Sequence, residues 1–132
     1  MTIQDQVIGA LCCWRENRGG GVLGMQSVMN VLVNRATKRL TDVYTEATRR
    51  LQFSSMTAAG DPNLILYPSP QDPQGWSAWL EALTIAGEAA AGSLEDITEG
   101  ATSYYATSMT TPPYWASSMT RTVTIANQIF FK

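Results

Sequence analysis

Three consecutive glycines, Gly19 to Gly21, divide the N-terminal part of the chain into two helical segments. Thr2 is a suitable N-cap for a first helix over residues 3–17. Helical spacing predicts its buried stripe as Ile3, Val7, Leu11 and Trp14. Glycine is favoured just beyond a helix C-terminus, so a second helix begins near residue 22 and runs to about 38. Its predicted apolar face is Met25, Val28, Met29, Leu32 and Ala36. The N-terminal part must therefore fold as two helices joined at a flexible junction.

The rest of the chain changes from helical to β patterns near residue 100. A short helix is predicted over residues 42–49, and the proline-rich stretch 57–74 is typical of a long loop, often functional or mobile. Asp72 and Pro73 begin a further helix, which Gly92 ends. After it, "ATSYYA" and "TVTIANQIFF" predict a strand and a hairpin. This order indicates an α+β fold, mainly helical, with a small C-terminal β element, as a single domain over residues 1–132.

The charge balance of the chain excludes several kinds of partner. The 132 residues carry a formal net charge of -2, with nine scattered Lys and Arg residues, whereas nucleic-acid-binding proteins concentrate basic residues on one surface. The densest basic group, Arg35, Lys38 and Arg39, is interpreted as the solvated end of a helix. No segment is long and apolar enough for a membrane span, and the N-terminus lacks the basic residues of a signal peptide. We expect no nucleic-acid partner, no stable membrane insertion, and a protein held in the cytoplasm.

The chain contains no histidine, and this absence excludes several catalytic mechanisms. Ser-His-Asp and Cys-His catalysis and the histidine-rich zinc sites of many hydrolases all need imidazole. The only cysteines, Cys12 and Cys13, are adjacent and are expected to be buried as small apolar side chains. No metal site and no cofactor are predicted. If the chain is an enzyme, carboxylates are the leading candidates for its chemistry.

Glu16 is the candidate for that chemistry. It lies between Arg15 and Arg18, directly before the glycines, in "CCWRENRGGGVLG". This position would mount a carboxylic acid where a rigid helix meets an open cleft, with the glycines clearing room for a ligand. Such an acid can protonate a glycosidic oxygen. A solvated helix end gives the same pattern, so the residue types alone leave both interpretations open.

Several short motifs, in order along the chain, resemble those of a known family. "ENRG" (16–19) is followed by Gly24, eight residues after Glu16, and then by "VLVNR", which ends in Asn34-Arg35. "QFS" (52–54), "ATSYY" (101–105) and "TIANQIFF" (124–131) follow. The pattern is similar to that of the cell-wall hydrolases typified by bacterial spore cortex-lytic enzymes and related phage lysins. Gly20 stands where the family often has a second glutamate, and Gln128 stands in place of a histidine.

The resemblance implies a lysozyme-like fold and an enzyme that cleaves the glycan strands of peptidoglycan. By position, Glu16 corresponds to the single catalytic glutamate of a lytic transglycosylase. That acid protonates the oxygen between N-acetylmuramic acid and N-acetylglucosamine, and then serves as the base while the sugar's 6-hydroxyl closes a 1,6-anhydro ring. The substrate-binding residues implied by the resemblance are Gln52, Phe53, Ser54, Tyr104, Tyr105 and Asn127. Trp115, beside two prolines, is predicted to be an exposed stacking residue.

Other side chains receive structural interpretations. Asp42 and Glu46, the acids nearest to the motifs in the chain, are expected to be exposed helix charges. Trp76 and Trp79, at helical spacing, are expected to belong to the core.

Three alternatives to a transglycosylase stay open from the sequence. A hydrolytic muramidase would use water in place of the 6-hydroxyl. A non-catalytic module would bind peptidoglycan without cleaving it, and a purely structural domain would share the motifs by coincidence. The expected setting is a monomeric phage endolysin that acts on the cell wall after release from the host cytoplasm by a membrane protein, a holin.

Overall fold

In a computed structural model that describes all residues, Met1–Lys132, the chain forms five α-helices and a three-stranded antiparallel sheet. The helices are α1 (Ile3–Asn17), α2 (Gly21–Arg39), α3 (Val43–Thr48), α4 (Ser54–Thr57) and α5 (Pro73–Ala91). The strands are β1 (Ser103–Ala106), β2 (Arg121–Ile125) and β3 (Gln128–Phe131). The predicted α+β class, mainly helical, is confirmed. None of the helices combines the length and the apolar character needed to cross a bilayer.

Helix α1 begins with a reciprocal pair of hydrogen bonds between Thr2 and Asp5. The Asp5 amide donates to Thr2 Oγ1 (3.0 Å), and the Thr2 amide donates to Asp5 Oδ2 (2.8 Å). Such a capping box satisfies backbone groups that a helix start leaves unpaired, and it confirms Thr2 as the N-cap. The other carboxylate oxygen of Asp5 accepts from the Tyr44 amide (2.9 Å), so this acid also ties α3 to α1.

The buried face of α1 differs from the predicted stripe. Ile3 and Val7 are exposed, at 79% and 42%, and Trp14 is the stripe residue that is fully buried. The small buried residues of the helix are Gly9, Ala10, Cys12 and Cys13. A Cβ at Gly9 would lie 2.8 Å from Val43 Cγ1 on α3. Small side chains let neighbouring helices approach closely, and this close packing decides which face is buried. The burial of both cysteines is as predicted.

Helix α2 is central in the helical part of the molecule. It follows a single 3₁₀ turn, Arg18–Gly20, and starts at Gly21, whose φ of +71° favours glycine. The five residues of its predicted apolar face are all buried. All of them except Ala36 belong to the main hydrophobic core, which α2 forms with α1, α3 and α5. The predicted bounds and orientation of this helix are therefore confirmed.

The segment between α4 and α5 is irregular apart from a 3₁₀ turn at Pro62–Ile65, as expected of a proline-rich loop. Helix α5 begins at Pro73, and Gly92, with a φ of +74°, ends it. Trp79 is half-buried and packs against the main core, as predicted. Trp76 is half-buried as well.

The sheet has the strand order β1–β3–β2, with both pairs antiparallel. Strands β2 and β3 form the predicted hairpin. In the β1–β3 pair Tyr104 is opposite Phe130. Phe130 packs with Val31 of α2 and with Ala101 in a small second core. This core holds the sheet against α2 and thereby places β1 beside the C-terminal end of α1.

Candidate active site

A cleft of about 650 Å³ lies where the C-terminal end of α1, the segment 50–58 and strand β1 meet. Its walls combine charged, amide and hydroxyl groups with aromatic and apolar side chains. The lining residues are Glu16, Arg35, Arg50, Leu51, Gln52, Phe53, Ser54, Thr57, Ala58, Tyr104, Tyr105, Ala106, Met109, Pro113 and Trp115. A concave surface with a few convergent polar groups is the usual form of a ligand site.

Glu16, the penultimate residue of α1, is half-buried in the wall of this cleft. Each of its carboxylate oxygens accepts one hydrogen bond. Oε1 accepts from the Tyr104 hydroxyl (2.6 Å), and Oε2 accepts from the Ser55 hydroxyl (2.5 Å). Both distances are short, and short hydrogen bonds between hydroxyl and carboxyl groups are among the stronger ones in proteins. The two donors come from different elements and together fix the orientation of the carboxyl group.

Tyr104 is held by aromatic packing as well as by this hydrogen bond. Its ring centroid lies 5.4 Å from that of Phe130 and 6.5 Å from that of Phe53. Burial, and then the negative charge of Glu16, raise the pKa of the Tyr104 phenol well above its ordinary value. The phenol therefore keeps its proton at neutral pH and stays a donor to Glu16.

Most of the substrate-binding residues predicted from the sequence lie together in this cleft, and one does not. Those that line it are Gln52, Phe53, Ser54, Tyr104, Tyr105 and Trp115. Asn127 is exposed on the turn between β2 and β3, and it is not part of the cleft wall. Its carbonyl accepts from the Thr107 amide (2.8 Å), so its backbone joins the end of β1 to the turn of the hairpin.

Two of the aromatic residues in the cleft are more buried than a ring that is fully free to stack on a ligand. Phe53 is 2% exposed and belongs to the main core. Trp115 is half-buried and packs edge-on against Phe131 (5.5 Å between centroids) and Tyr105 (6.0 Å). The prediction of an exposed Trp115 is therefore wrong in degree, because the sheet supplies aromatic neighbours that the local sequence does not reveal.

Sequence reasoning missed Ser55. The "QFS" motif indicated Ser54, but the Ser54 hydroxyl donates to Asp61 Oδ2 (2.6 Å), and the buried Ser55 is the serine that reaches Glu16. Neighbouring side chains on a helix point about 100° apart. The orientation of α4 therefore decides which of two adjacent serines contacts the acid, and the sequence carries no signal for it.

Two of the glycines after Glu16, Gly20 and Gly24, make room for Asn17, and no glycine lines the cleft. A Cβ at Gly20 would lie 2.7 Å from Asn17 Oδ1, and one at Gly24 would lie 2.8 Å from Asn17 Nδ2. The Asn17 amide fills the space that these two glycines leave, and its Nδ2 donates to Gln128 Oε1 on β3 (3.0 Å). The expectation that the glycines clear room for a sugar chain is therefore wrong.

Arg15 and Arg18 fasten the long loop to the end of α1. Arg15 Nε donates to the Leu66 carbonyl (3.1 Å), and its guanidinium lies over the Tyr67 ring. Arg18 Nη2 donates to Asn63 Oδ1 (3.1 Å). Because Arg15 is only 6% exposed, this end of α1 is not the solvated terminus that the residue types would also allow.

Glu16 is the only acidic residue among those that line the cleft. Glu46, expected as an exposed charge, is fully buried and paired with Arg39 (2.9 Å) and Arg49 (2.7 Å). That expectation is wrong because two guanidinium groups offset the loss of hydration of the carboxylate. No group of three or more His, Cys, Asp or Glu side chains is placed to share a metal ion.

The fold is similar to that of a solved catalytic domain. The whole chain superposes on 97% of the catalytic domain of the germination-specific lytic transglycosylase SleB from Bacillus anthracis, with a TM-score of 0.69 and 22% sequence identity. The predicted lysozyme-like fold is therefore confirmed.

The chain belongs to the cell wall hydrolase family, whose sequence pattern matches residues 19–131. No curated protein matches the chain. Family membership confirms the resemblance read from the motifs, and it confirms the predicted class, a cell-wall lytic enzyme. The matched range begins just C-terminal to Glu16, so the role of this acid depends on the geometry of the cleft.

Proposed function

We propose that the chain, as one catalytic domain over residues 1–132, cleaves peptidoglycan between N-acetylmuramic acid and N-acetylglucosamine as a lytic transglycosylase. The observation that carries the proposal is a single carboxyl group in an open cleft. Glu16 is oriented by Tyr104 and Ser55, and no second acid lines the cleft. Glycoside hydrolysis usually takes two carboxylates, one of which activates water or attacks the sugar. A reaction in which the sugar's own hydroxyl attacks needs one.

The proposed reaction moves one proton out of Glu16 and one back. Protonated Glu16 gives its proton to the glycosidic oxygen as the bond from that oxygen to C1 of N-acetylmuramic acid breaks. The hydroxyls of Tyr104 and Ser55 then stabilise the carboxylate. Glu16 takes the proton of the 6-hydroxyl as that oxygen bonds to C1, which closes the 1,6-anhydro ring and restores the acid. No water is consumed.

The other predicted residues receive positioning and binding roles in this proposal. The exposed Gln52 amide offers hydrogen bonds to sugar hydroxyls or acetamido groups, and the rings of Tyr105 and Trp115 offer apolar faces. Phe53 supports Tyr104, and Ser54 is fixed by Asp61. Asn127, on the hairpin turn, would contact only a substrate that extends beyond the cleft.

The proposed function is tested by comparing wild type with Glu16→Gln on isolated sacculi at several pH values. Glutamine keeps the shape of the side chain but cannot give or take the proton, so we expect activity to fall on the order of 100-fold or more. Mass spectrometry of the products should find 1,6-anhydro ends. Equal release of fragments by the two proteins would refute Glu16 as the acid.

A hydrolytic muramidase is the second candidate, and Asp61 is the observation that favours it. The hydrogen bond from Ser54, followed by one from the Asn63 amide, holds the pKa of Asp61 below its usual range. Asp61 is therefore a charged carboxylate that contacts Ser54 in the cleft wall but does not itself line the cleft. In a muramidase it would be the base that activates water. Reducing ends in the products, together with a large loss of activity in Asp61→Asn, would favour this candidate over the transglycosylase.

The setting of the enzyme is a separate prediction. The family supports peptidoglycan as the substrate. A monomeric phage endolysin that a holin releases stays a prediction from the sequence. A non-catalytic binding module is disfavoured because the family is one of hydrolases.

A further inference from the structure

A second cavity, of about 400 Å³, adjoins the cleft. The two cavities share Arg35 and Gln52 as lining residues. The remaining polar lining of the second cavity is Lys38, Arg39, Thr102 and Ser103. No acidic residue lines it. This combination of three cations with amide and hydroxyl groups is typical of an anion site.

Arg35 is buried in the wall of this cavity and held there by contacts within the protein. It was expected at a solvated helix end, but it is only 8% exposed. Its guanidinium lies over the Phe53 ring at 5.1 Å, and its Nε donates to the Thr102 carbonyl. Its buried Nη1 has no hydrogen-bond partner in the protein. Buried polar groups are nearly always paired, so the hydrogen bonds of this guanidinium are incomplete within the protein. Its Nη2 is neither bonded nor buried, and it is free to donate to an acceptor in the cavities that Arg35 lines.

The positive charge around this cavity is not balanced within the protein. Lys38 makes no ion pair, and Glu46 is shared between Arg39 and Arg49. Arg50 adds a further cation on the wall of the cleft. This concentration occurs in a chain whose formal net charge is -2. A local excess of one charge attracts and orients ligands of the opposite charge.

We propose that this cavity, the Arg35–Lys38 site, binds a carboxylate of the stem peptide carried by the glycan strand in the cleft. The proposal rests on the proposed function, because the N-acetylmuramic acid units of peptidoglycan bear peptides with free carboxylates beside the glycan. Arg35 offers one charged donor, Nη2, because its Nε is bonded to Thr102 and its Nη1 is buried. Lys38 is exposed and adds a second positive charge to the lining. The shared residues Arg35 and Gln52 connect the two parts of the substrate site.

The test measures binding of soluble muropeptides to the Glu16→Gln protein, so that the ligand is not consumed. One muropeptide carries free carboxylates, and a matched one has them amidated. We expect tighter binding of the free acid. Lys38→Gln in the same background should weaken binding of the free acid about fivefold, which corresponds to the strongest exposed ion pairs. The affinity for the amidated muropeptide should not change. Gln74→Glu is the matched control, because it also lowers the net charge by one and its exposed site lines neither cavity.

Three outcomes would overturn the proposal. Equal affinity for the two muropeptides would show that the carboxylate is not recognised. An equal loss of affinity in Lys38→Gln and Gln74→Glu would show that the effect comes from the net charge of the protein and not from the site. Binding of inorganic phosphate with the same Lys38 dependence, without discrimination between the muropeptides, would assign the site to a phosphate.

Turnover separates this proposal from the proposed function. On peptide-bearing strands we expect Lys38→Gln to raise KM about fivefold, as expected of an exposed ion pair, with kcat unchanged. On peptide-free strands neither constant should change. If wild type cleaves neither substrate, the proposed function fails, while the binding comparison still decides the carboxylate site.

Discussion

At the scale of the residue, the candidate site depends on two hydroxyl groups that reach one carboxylate. Ser55 is 39 positions and Tyr104 is 88 positions from Glu16 in the chain. The acid is half-buried, and each of its oxygens has one donor. Fixed donors aimed at a group whose charge changes during the reaction are a main source of catalysis. The Tyr104 hydroxyl is therefore expected to affect the rate more than the stability.

Tyr104→Phe tests this expectation. The variant loses the donor to Glu16 but keeps the ring that packs between Phe53 and Phe130. The donor stabilises the charge that develops on Glu16 during the reaction, so its loss should lower kcat on the order of 10-fold or more. The melting temperature should change little. Fragment release from sacculi gives kcat, and circular dichroism gives the melting temperature.

Tyr105→Phe is the matched control for that measurement. Tyr105 also lines the cleft, but its hydroxyl makes no hydrogen bond within the protein. We expect it to change KM rather than kcat. Equal kcat values for wild type and Tyr104→Phe would show that Ser55 alone orients the acid.

At the scale of the element, the junction between α1 and α2 is built around the Asn17 side chain. The amide of Asn17 lies against Gly20 and Gly24 and reaches Gln128 on β3. Since β3 pairs with β1, and β1 carries Tyr104, the same contact connects the helix of the acid with the strand of its donor. The glycines are needed for this close approach.

Gly24→Ala and Gly87→Ala form a matched pair that tests the junction. Both glycines lie within helices, where alanine is ordinarily favoured by about 1 kcal/mol. A Cβ at Gly87 meets nothing within 4 Å, so Gly87→Ala should stabilise the protein by about 0.5–1 kcal/mol. At Gly24 the Cβ would lie 2.8 Å from Asn17 Nδ2 and 3.2 Å from the Asn17 carbonyl oxygen. We expect Gly24→Ala to destabilise the protein by about 1–2 kcal/mol, as overpacking does.

Urea unfolding of both variants measures these free energies. Gly24→Ala should also lower activity, because displacing Asn17 disturbs the neighbouring Glu16. An equal gain of stability in the two variants would show that the Asn17 amide does not need the space at Gly24.

At the scale of the whole molecule, the free energy of unfolding is expected to vary with pH because buried carboxylates have pKa values that differ between the folded and unfolded states. Burial raises the pKa of Glu46, but the hydrogen bonds from Arg49 and Thr41 and the charge of Arg39 outweigh it, so its pKa is lowered. A pKa that is lower in the folded state stabilises the protein above the unfolded-state pKa of about 4.3. This contribution is lost as the pH falls through the folded-state value.

Glu46→Gln tests that contribution. At pH 7 we expect a loss of about 2 kcal/mol in the free energy of unfolding, below the ~3–5 kcal/mol of a fully buried pair, because both arginines are partly exposed. The difference from wild type should shrink as the pH drops below about 4. Denaturant unfolding at several pH values measures it. Glu81→Gln, at an exposed position on α5, is the control and should be neutral. A difference that stays constant from neutral to acid pH would contradict the assignment.

The sequence by itself determined the elements of this protein and the kind of chemistry open to it. The helix cap at Thr2, the bounds of α2, the start of α5 at Pro73 and the C-terminal hairpin follow from local rules of backbone geometry and hydrophobic spacing. The absence of histidine and the ordered motifs selected Glu16. The elements are properties of neighbouring residues, and local energetics is sufficient to fix them, whereas the choice of Glu16 depends on the composition and on the order of motifs along the whole chain.

The tertiary structure alone decided which side chains meet. It buried the small-residue face of α1, turned Ser55 rather than Ser54 toward Glu16, enclosed Glu46 between two arginines, and left Asn127 outside the cleft. Each of these depends on the rotation of a helix or the register of a strand. Rotation and register are set by packing between segments far apart in the chain, and no local pattern carries that information.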